Sequence, residues 1–190
     1  LTDFVIMSRN ETKTYELTVK GLVQGIGYRP FVASMLKSLG LCGTVRNTGG
    51  IVKICVTAAD KAVEDLIHRL YKYYPDGAKI TDISCAETEN IAFADVEIVG
   101  SDMEQSVPLL PADICICEKC SGELRDNNNR RYRYPFISCA ACGPRYTIMK
   151  RIPYDRENTT MQEFEMCDKC KKEYLEFGNR RHFAQTISCP

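Results

Sequence analysis

Residues 15–31, YELTVKGLVQGIGYRPF, decide the fold of the first half of the chain. Alternating apolar and polar residues predict a strand at the start of this segment, and helical spacing begins at its end. A glycine-rich loop therefore joins a strand to a helix. Glycines allow tight turns and close approach of the backbone to a ligand. N–H groups at the start of a helix suit an anion, and Arg29 adds a guanidinium that matches phosphate or carboxylate oxygens.

The loop thus predicts a phosphate-binding site. A second interpretation of the same residues is an ordinary strand-to-helix turn with a solvated arginine, because a glycine-rich loop alone is weak evidence for a ligand. The predicted phosphate-binding residues are Gln24, Gly25, Ile26, Gly27, Tyr28 and Arg29.

Periodicity beyond the loop predicts an α+β domain of the ferredoxin-like class. The pattern gives the order βαββαββ, which is typical of an antiparallel sheet with two helices on one face. A turn, NTGG, separates the second and third strands. The predicted elements are a strand at 15–21, a helix at 30–40, strands at 42–47 and 51–58, a helix at 61–73, and strands at 79–85 and 95–100.

Composition changes along the chain predict its domain organisation. Residues 1–13 are predicted to be a tail, 14–100 the ferredoxin-like domain, and 101–113, which contain two prolines, a linker. Residues 114–190 lack long apolar runs, so this part cannot bury a large core. It needs another source of stability, such as disulfides or a structural metal. The first residue is not methionine and the last lies inside a cysteine motif, so we expect a piece of a longer protein.

Charge and hydropathy exclude some classes of protein. The chain has 25 basic and 25 acidic residues, so no net charge favours nucleic acid or an anionic membrane. No apolar run approaches the length of a membrane span, and no signal peptide begins the sequence. The sequence therefore predicts a cytoplasmic protein without a membrane partner. We expect Cys42, Cys55 and Cys85 to be small core residues, because each is isolated in a strand-like run.

The second half contains an internal repeat with an offset of fifty residues. The first unit, residues 117–142, reads C-x2-C-x18-C-x2-C. The second unit, residues 167–190, lacks the last cysteine of this pattern, so we predict it to be truncated. The matching positions are Cys117 with Cys167, Cys120 with Cys170, Arg130 with Arg180, Arg131 with Arg181, and Cys139 with Cys189.

Paired cysteines at this spacing can bring four thiolates together around one zinc ion. Disulfides are the alternative, but adjacent C-x2-C pairs in a chain without a secretory signal favour metal. Cys115 breaks the repeat and is not expected to be a ligand. His182 is either a surface or stacking residue or a substitute ligand in the second unit. The predicted zinc ligands are Cys117, Cys120, Cys139, Cys142, Cys167, Cys170 and Cys189.

Arginines and aromatic residues alternate in RRYRYPF, residues 130–136. This composition is compatible with nucleic-acid binding through phosphate contacts and stacking. Zinc held by four thiolates carries a net double negative charge, however, which cancels much of the basic excess. A nucleic-acid partner is therefore not favoured.

Two sets of motifs resemble known families. GLVQGIGYRPF, residues 21–31, with GTVRNTGG, residues 43–50, resembles the acylphosphatase signature, in which the loop arginine and a strand asparagine form the active site. That resemblance implies Arg29 and Asn47 as catalytic residues. CEKC, RRYRYPFISCAACGPRYTI, PYDR and CDKC resemble the double finger region of the HypF hydrogenase-maturation carbamoyltransferases. The chain reads RRHFAQT where that family usually has RRFHAQP, which displaces His182 by one position.

The resemblance implies hydrolysis of carbamoyl phosphate, or another acyl phosphate, to carbamate and phosphate, with structural zinc in the fingers. In that family, ATP and a maturation partner protein that accepts the carbamoyl group take part in later steps. The alternative is a module without catalysis, in which the ferredoxin-like and finger domains bind protein or nucleic acid.

Overall fold

The computed structural model describes residues 12–75, 77–101 and 111–190. Most of the predicted tail and most of the predicted linker therefore lie outside the described residues. Within the described ranges, no helix is both long and apolar enough to cross a membrane.

The first half has the predicted order βαββαββ, and the ferredoxin-like fold class is confirmed. The boundaries differ from the sequence prediction by a few residues, which is the usual uncertainty at element ends. The elements are β1 (Lys13–Leu22), α1 (Tyr28–Ser38), β2 (Cys42–Thr48), β3 (Ile51–Ala58), α2 (Asp60–Lys72), β4 (Lys79–Thr88) and β5 (Val96–Ile98).

The five strands form one sheet in the order β4-β1-β3-β2-β5. Four strands are antiparallel, as predicted, but β5 pairs in parallel with β2. The chain leaves β4 at one edge of the sheet, crosses to the other edge and arrives running in the direction of β2. Alternation of apolar residues reports which face of a strand is buried but not its direction, so the sequence did not predict this pairing.

The main core lies between one face of the sheet and the two helices. Alternate residues of β3 are buried because successive side chains of a strand point to opposite faces. Residues three, four or seven apart in α2 are buried because they share one helix face. The fully buried side chains include Leu17, Val19, Val52, Ile54, Val56, Leu36, Leu66 and Leu70.

The expectation that the three isolated cysteines are core residues was wrong. Cys85 is exposed on β4, and Cys42 and Cys55 are only half-buried. In β3, the residues that alternate with Cys55 fill the core, so Cys55 lies on the opposite face.

The second half is built from short elements around the cysteines. Helix α3 (Glu118–Arg125) begins directly after Cys117, and α4 (Asp168–Leu175) begins directly after Cys167. We call residues 117–142 the first finger and residues 167–190 the second finger. Three short 3₁₀ turns lie between the fingers, at Tyr146–Ile148, Arg156–Asn158 and Thr160–Glu163.

The backbone of the fingers repeats with the fifty-residue offset seen in the sequence. Arg133 and Phe183 adopt left-handed conformations with φ of 55° and 53°, which is uncommon for residues other than glycine. The N–H of Arg133 donates to the carbonyl of Leu124 at 2.9 Å, and that of Phe183 to Tyr174 at 3.0 Å. Both fingers therefore make the same turn after their helix.

Candidate active site and metal centres

The glycine-rich loop, residues 23–27, lies between the end of β1 and the start of α1. Gly25 and Gly27 have φ of 69° and 73°, a left-handed conformation that glycine adopts without a steric penalty. The N–H groups of residues 24–27 donate hydrogen bonds to no residue that the structure describes. These donors at the start of a helix are available to an anion.

Arg29 and Asn47 line one small cavity beside the loop, together with Gly25 and Gly27. Arg29 is the second residue of α1, and Asn47 lies near the end of β2, so the fold brings the loop and the strand together. The cavity volume is about 30 Å³. Asn47 is only 2% exposed and its Oδ1 has no hydrogen-bond partner among the described residues. A buried acceptor of this kind suits a water molecule that donates to it.

The Arg29 side chain is not solvated, in contrast to the simple-turn interpretation. It is 8% exposed, its Nη2 pairs with Asp155, and its Nη1 donates to Ser101 Oγ at 3.2 Å. Ser101 Oγ also donates to Asp155 Oδ2 at 2.6 Å. Two of the five N–H donors of the guanidinium are thus used, and the other three contact no residue in the part of the chain that the structure describes.

Arg145 joins the loop to the first finger. Its guanidinium donates to the carbonyl of Gly25 in the loop, to the first-finger carbonyls of Ala140 at 2.9 Å and Cys142 at 3.0 Å, and to that of Pro144 just after the finger at 2.9 Å. The side chain is 2% exposed and also lines the cavity. Because carbonyl oxygens are neutral, they satisfy its donors without cancelling its positive charge, which favours an anion nearby.

The finger region also limits the space around the loop. A Cβ atom on Gly27 would lie 2.9 Å from the Cβ of Ala140, and one on Gly25 would lie 2.8 Å from the Cβ of Pro111. Tyr154 and Gln185 also line the cavity. Glycine is therefore required here for close approach of a neighbouring segment as well as for the turn.

Sequence reasoning missed Arg145, Asp155 and Ser101 as parts of this site. Each lies more than seventy residues from Arg29 along the chain, and no spacing pattern relates them to the loop. Asp155 lies in PYDR, residues 153–156, and Arg145 in RRYRYPFISCAACGPRYTI, residues 130–148, but both stretches were noted for their resemblance to the finger region and not as parts of this site.

The four cysteines of the first finger lie close together, and we call them the first cysteine cluster. Sγ–Sγ distances are 3.8 Å for Cys117 and Cys139, 3.8 Å for Cys139 and Cys142, and 3.5 Å for Cys120 and Cys142. Zn–S bonds of about 2.3 Å in a tetrahedron place sulfur atoms about 3.8 Å apart. The first cluster therefore has the donors and the spacing of a closed structural metal site.

The second cysteine cluster consists of Cys167, Cys170 and Cys189. The Sγ atoms of Cys167 and Cys189 are 3.5 Å apart, and all three sulfurs lie within 4.8 Å of one another. Cys167 is exposed and Cys170 is buried. Three thiolates on one side leave a fourth position open, so this cluster fits a metal less completely than the first.

His182 is not a ligand of the second cluster, so the hypothesis of a substitute ligand was wrong. It is 2% exposed, and its ring lies 4.6 Å from that of Phe177 and 5.0 Å from that of Phe183. Burial, with a smaller contribution from Lys37, lowers the pKa of His182 and favours the neutral imidazole. His182 is thus a stacking residue, although a buried one. Cys115 is exposed and belongs to neither cluster, as predicted.

Comparison with known proteins gives two family matches, one in each half. Residues 15–98 match the acylphosphatase family, and residues 116–149 and 166–190 match the HypF finger. An acylphosphatase of Methanothrix thermoacetophila is 37% identical over 82 residues, which cover 43% of this chain and 90% of that protein.

Relatives with both halves are carbamoyltransferases. A probable carbamoyltransferase HypF of Methanocaldococcus jannaschii is 41% identical over 145 residues, covering 75% of this chain and 19% of that protein. The crystal structure of full-length HypF in a phosphate- and nucleotide-bound form matches with a TM-score of 0.90 and 38% identity, covering 94% of this chain and 24% of that one. The chain thus spans about a fifth to a quarter of the length of these relatives. It contains an acylphosphatase domain followed by a HypF finger region, and it belongs to the HypF carbamoyltransferase family.

Proposed function

We propose that the first half of the chain hydrolyses carbamoyl phosphate, or another small acyl phosphate, to a carboxylate and phosphate. The observation that carries this proposal is the meeting of Arg29 and Asn47 at one cavity, beside loop N–H groups that have no partner among the described residues. The acylphosphatase family match supports the same chemistry.

The reaction requires binding of the phosphoryl group and positioning of the attacking water. A covalent intermediate with the protein is not required, because the carboxylate is already a good leaving group. The N–H groups of residues 24–29 and the guanidinium of Arg29 hold the phosphoryl oxygens. Asn47 Oδ1 accepts a hydrogen bond from the attacking water. The water oxygen bonds to phosphorus, the phosphorus–acyl oxygen bond breaks with its electron pair on carbamate, and the water proton passes to a phosphoryl oxygen.

Asp155 competes with the substrate for Arg29. Its carboxylate occupies part of the guanidinium, while the donors of Arg29 that contact no described residue can bind a group in the cavity. A phosphoryl group entering the cavity therefore meets both the attraction of Arg29 and the repulsion of Asp155. We propose that Asp155 orients Arg29 and limits how tightly the product phosphate is held.

The size of the cavity supports a small acyl group. Ala140, Tyr154 and Phe183 come from the finger region and line the same cavity as Arg29. A volume of about 30 Å³ is room for only one or two water molecules, so these side chains leave no space for a bulky acyl group. The carbamoyl group is among the smallest acyl groups, so it fits this restriction better than an aromatic acyl group.

We propose zinc as the metal of the fingers, with a structural role. Four thiolates in a closed tetrahedral arrangement are typical of structural zinc, and zinc bound there would fix the fold of a region with little apolar core. In the family's whole reaction, we propose that the carbamate is consumed by an ATP-dependent activation and transferred to a maturation partner protein for nickel-iron hydrogenase.

The alternative of a nucleic-acid-binding module is less well supported. Arg130 and Arg131, which belong to the RRYRYPF stretch that suggested such an interface, form ion pairs with Glu173 inside the finger region. Arginines engaged in this way are not available for phosphate contacts.

Replacing Arg29 tests the phosphoryl-binding role. Arg29→Lys keeps a positive charge beside Asp155 but loses the planar fork, so we expect kcat/KM for carbamoyl phosphate to fall about a hundredfold. Phosphate release measures the rate, and Arg69→Lys, which alters an exposed ion pair with Asp65, is the matched control. Equal rates for Arg29→Lys and the wild type would contradict the proposal.

Replacing Asn47 tests the water-orienting role. Asn47→Ala should lower kcat by about tenfold to a hundredfold while the inhibition constant of phosphate changes little, because the proposed partner of Asn47 is the water. Asn128→Ala, at an exposed position in the first finger, should change neither quantity. A loss of phosphate affinity with unchanged kcat would assign Asn47 to phosphate binding instead.

Replacing Asp155 tests the competition for Arg29. Asp155→Asn removes a negative charge next to the anion site, so inorganic phosphate should inhibit about tenfold more strongly. The inhibition constant is measured with carbamoyl phosphate as substrate. Asp65→Asn, which removes the acid of an exposed ion pair, is the control. Weaker inhibition by phosphate in Asp155→Asn would show that Asp155 assists binding and does not oppose it.

Chelator titration tests the metal sites. The 190-residue chain should retain zinc in the first cysteine cluster at chelator concentrations that empty the second, since four thiolates hold zinc better than three. Cys117→Ser should abolish the tightly held zinc, whereas Cys115→Ser should not. Zinc content by atomic absorption reports both. Two zinc ions that resist the chelator equally would refute the difference between the clusters.

A further inference from the structure

An arginine of each finger contacts the cysteine cluster of the other finger, and the next arginine along the chain lies beside it. In the first finger, Arg130 Nη2 donates to Cys170 Sγ at 3.1 Å. In the second finger, Arg180 Nη2 donates to Cys120 Sγ at 2.9 Å. These two contacts are related by the fifty-residue repeat. We call Arg130, Arg131, Arg180 and Arg181 the crossed arginines.

A glutamate in each finger holds the arginines of the other finger in place. Glu173 on α4 accepts from Arg130 at 2.8 Å and from Arg131 at 2.5 Å. Glu123 on α3 accepts from Arg180 at 3.1 Å and also pairs with Arg181. Partial burial opposes the charge of Glu123, yet hydrogen bonds from Arg181 and Arg180 lower its pKa to about 2. The glutamates are therefore ionised at neutral pH and fix the guanidinium groups.

The second arginine of each pair also binds the backbone next to a cysteine of the other finger. Arg131 Nε donates to the carbonyl of Ser188 at 2.8 Å, and Arg181 Nε donates to that of Ser138 at 3.1 Å. Each serine directly precedes a cysteine of the cluster, Cys189 or Cys139. Arg131 and Arg181 are only 2% and 4% exposed, so these bonds lie inside the interface between the fingers.

Physical chemistry gives these contacts a role at the metal sites. A zinc ion held by four thiolates has a net negative charge, and its burial is costly unless donors or positive groups lie close by. Cys120, Cys139 and Cys142 are at most 2% exposed, so solvent does little to screen the first cluster. The guanidinium of Arg180 supplies a charged donor to Cys120 from outside the first finger.

We propose that the crossed arginines are positioning residues for the metal sites, so that each finger supports the metal of the other. This inference rests on the proposed zinc sites. Each finger places its arginines against the cysteines of the other, and a metal bound in that finger holds them there more firmly. Since coupling between two binding sites is reciprocal, each metal then increases the affinity of the other site. Emptying the three-cysteine cluster of the second finger therefore lowers the zinc affinity of the first cluster, although the first cluster remains the tighter of the two.

The test measures the zinc affinity of the first cluster while the only changes are made in the second finger. Cys189→Ser disables the second cluster without removing a thiolate that a crossed arginine contacts. In that background, Arg180→Gln should weaken zinc binding at the first cluster by tenfold to a hundredfold, the usual effect of losing a partner of a metal ligand. Affinity is determined by competition with a chromophoric chelator.

Two further variants separate positioning from general charge and from misfolding. Arg125→Gln, in the same background, neutralises an exposed arginine on the helix that carries Cys120, and should leave the affinity unchanged. Arg180→Lys should restore part of it, because an ammonium also donates to a thiolate. In a background of Cys117→Ser, Arg130→Gln should weaken the second cluster in the same way. Circular dichroism checks that each variant retains the fold.

The outcomes are distinct. Equal zinc affinity with and without Arg180→Gln, or an equal loss in Arg125→Gln, would overturn the proposal while leaving the zinc sites intact. Absence of bound zinc in the unmodified chain would overturn the zinc sites themselves and the coupling with them.

Discussion

The guanidinium of Arg145 is the contact on which the candidate active site depends. It binds the carbonyl of Gly25 on one side and finger carbonyls on the other, so it fixes the loop against the first finger. With the loop in place, α1 carries Arg29 to Asp155 and to the cavity that Asn47 lines. A buried arginine whose acceptors are all backbone oxygens fixes two segments relative to each other. Separating the segments would leave buried donors and acceptors without partners, which is costly.

Most of the fold could be predicted from the sequence, because it depends on local patterns. Alternation in β3 and helical spacing in α2 reflect burial on one face, and these patterns were sufficient for the order of the elements. The cysteine spacing indicated which four cysteines lie together in the first cluster. The patterns report neither the direction of a strand nor the burial of an individual side chain. The parallel pairing of β5 and the exposure of Cys85 were therefore not predicted.

The candidate site was predicted only in part, for a physical reason. Arg29 and Asn47 belong to motifs whose residues are close along the chain, and those motifs resembled the acylphosphatase signature. Asp155 and Arg145 reach the site through the packing of one half on the other, and packing between distant segments leaves no periodic trace in a single sequence. His182 shows the same limit, since its stacking against Phe177 and Phe183 is visible only after the turn of the second finger is formed.

The crossed arginines restrict how the finger region can evolve. Fingers that fold independently can be added, deleted or exchanged between proteins, as separate modules along a chain. Here Glu123 is satisfied by arginines of the second finger and Glu173 by arginines of the first, so loss of either finger leaves a carboxylate and two guanidinium groups without partners. The two fingers can therefore be gained or lost only together. Substitution of an arginine in one finger is constrained by the glutamate of the other finger.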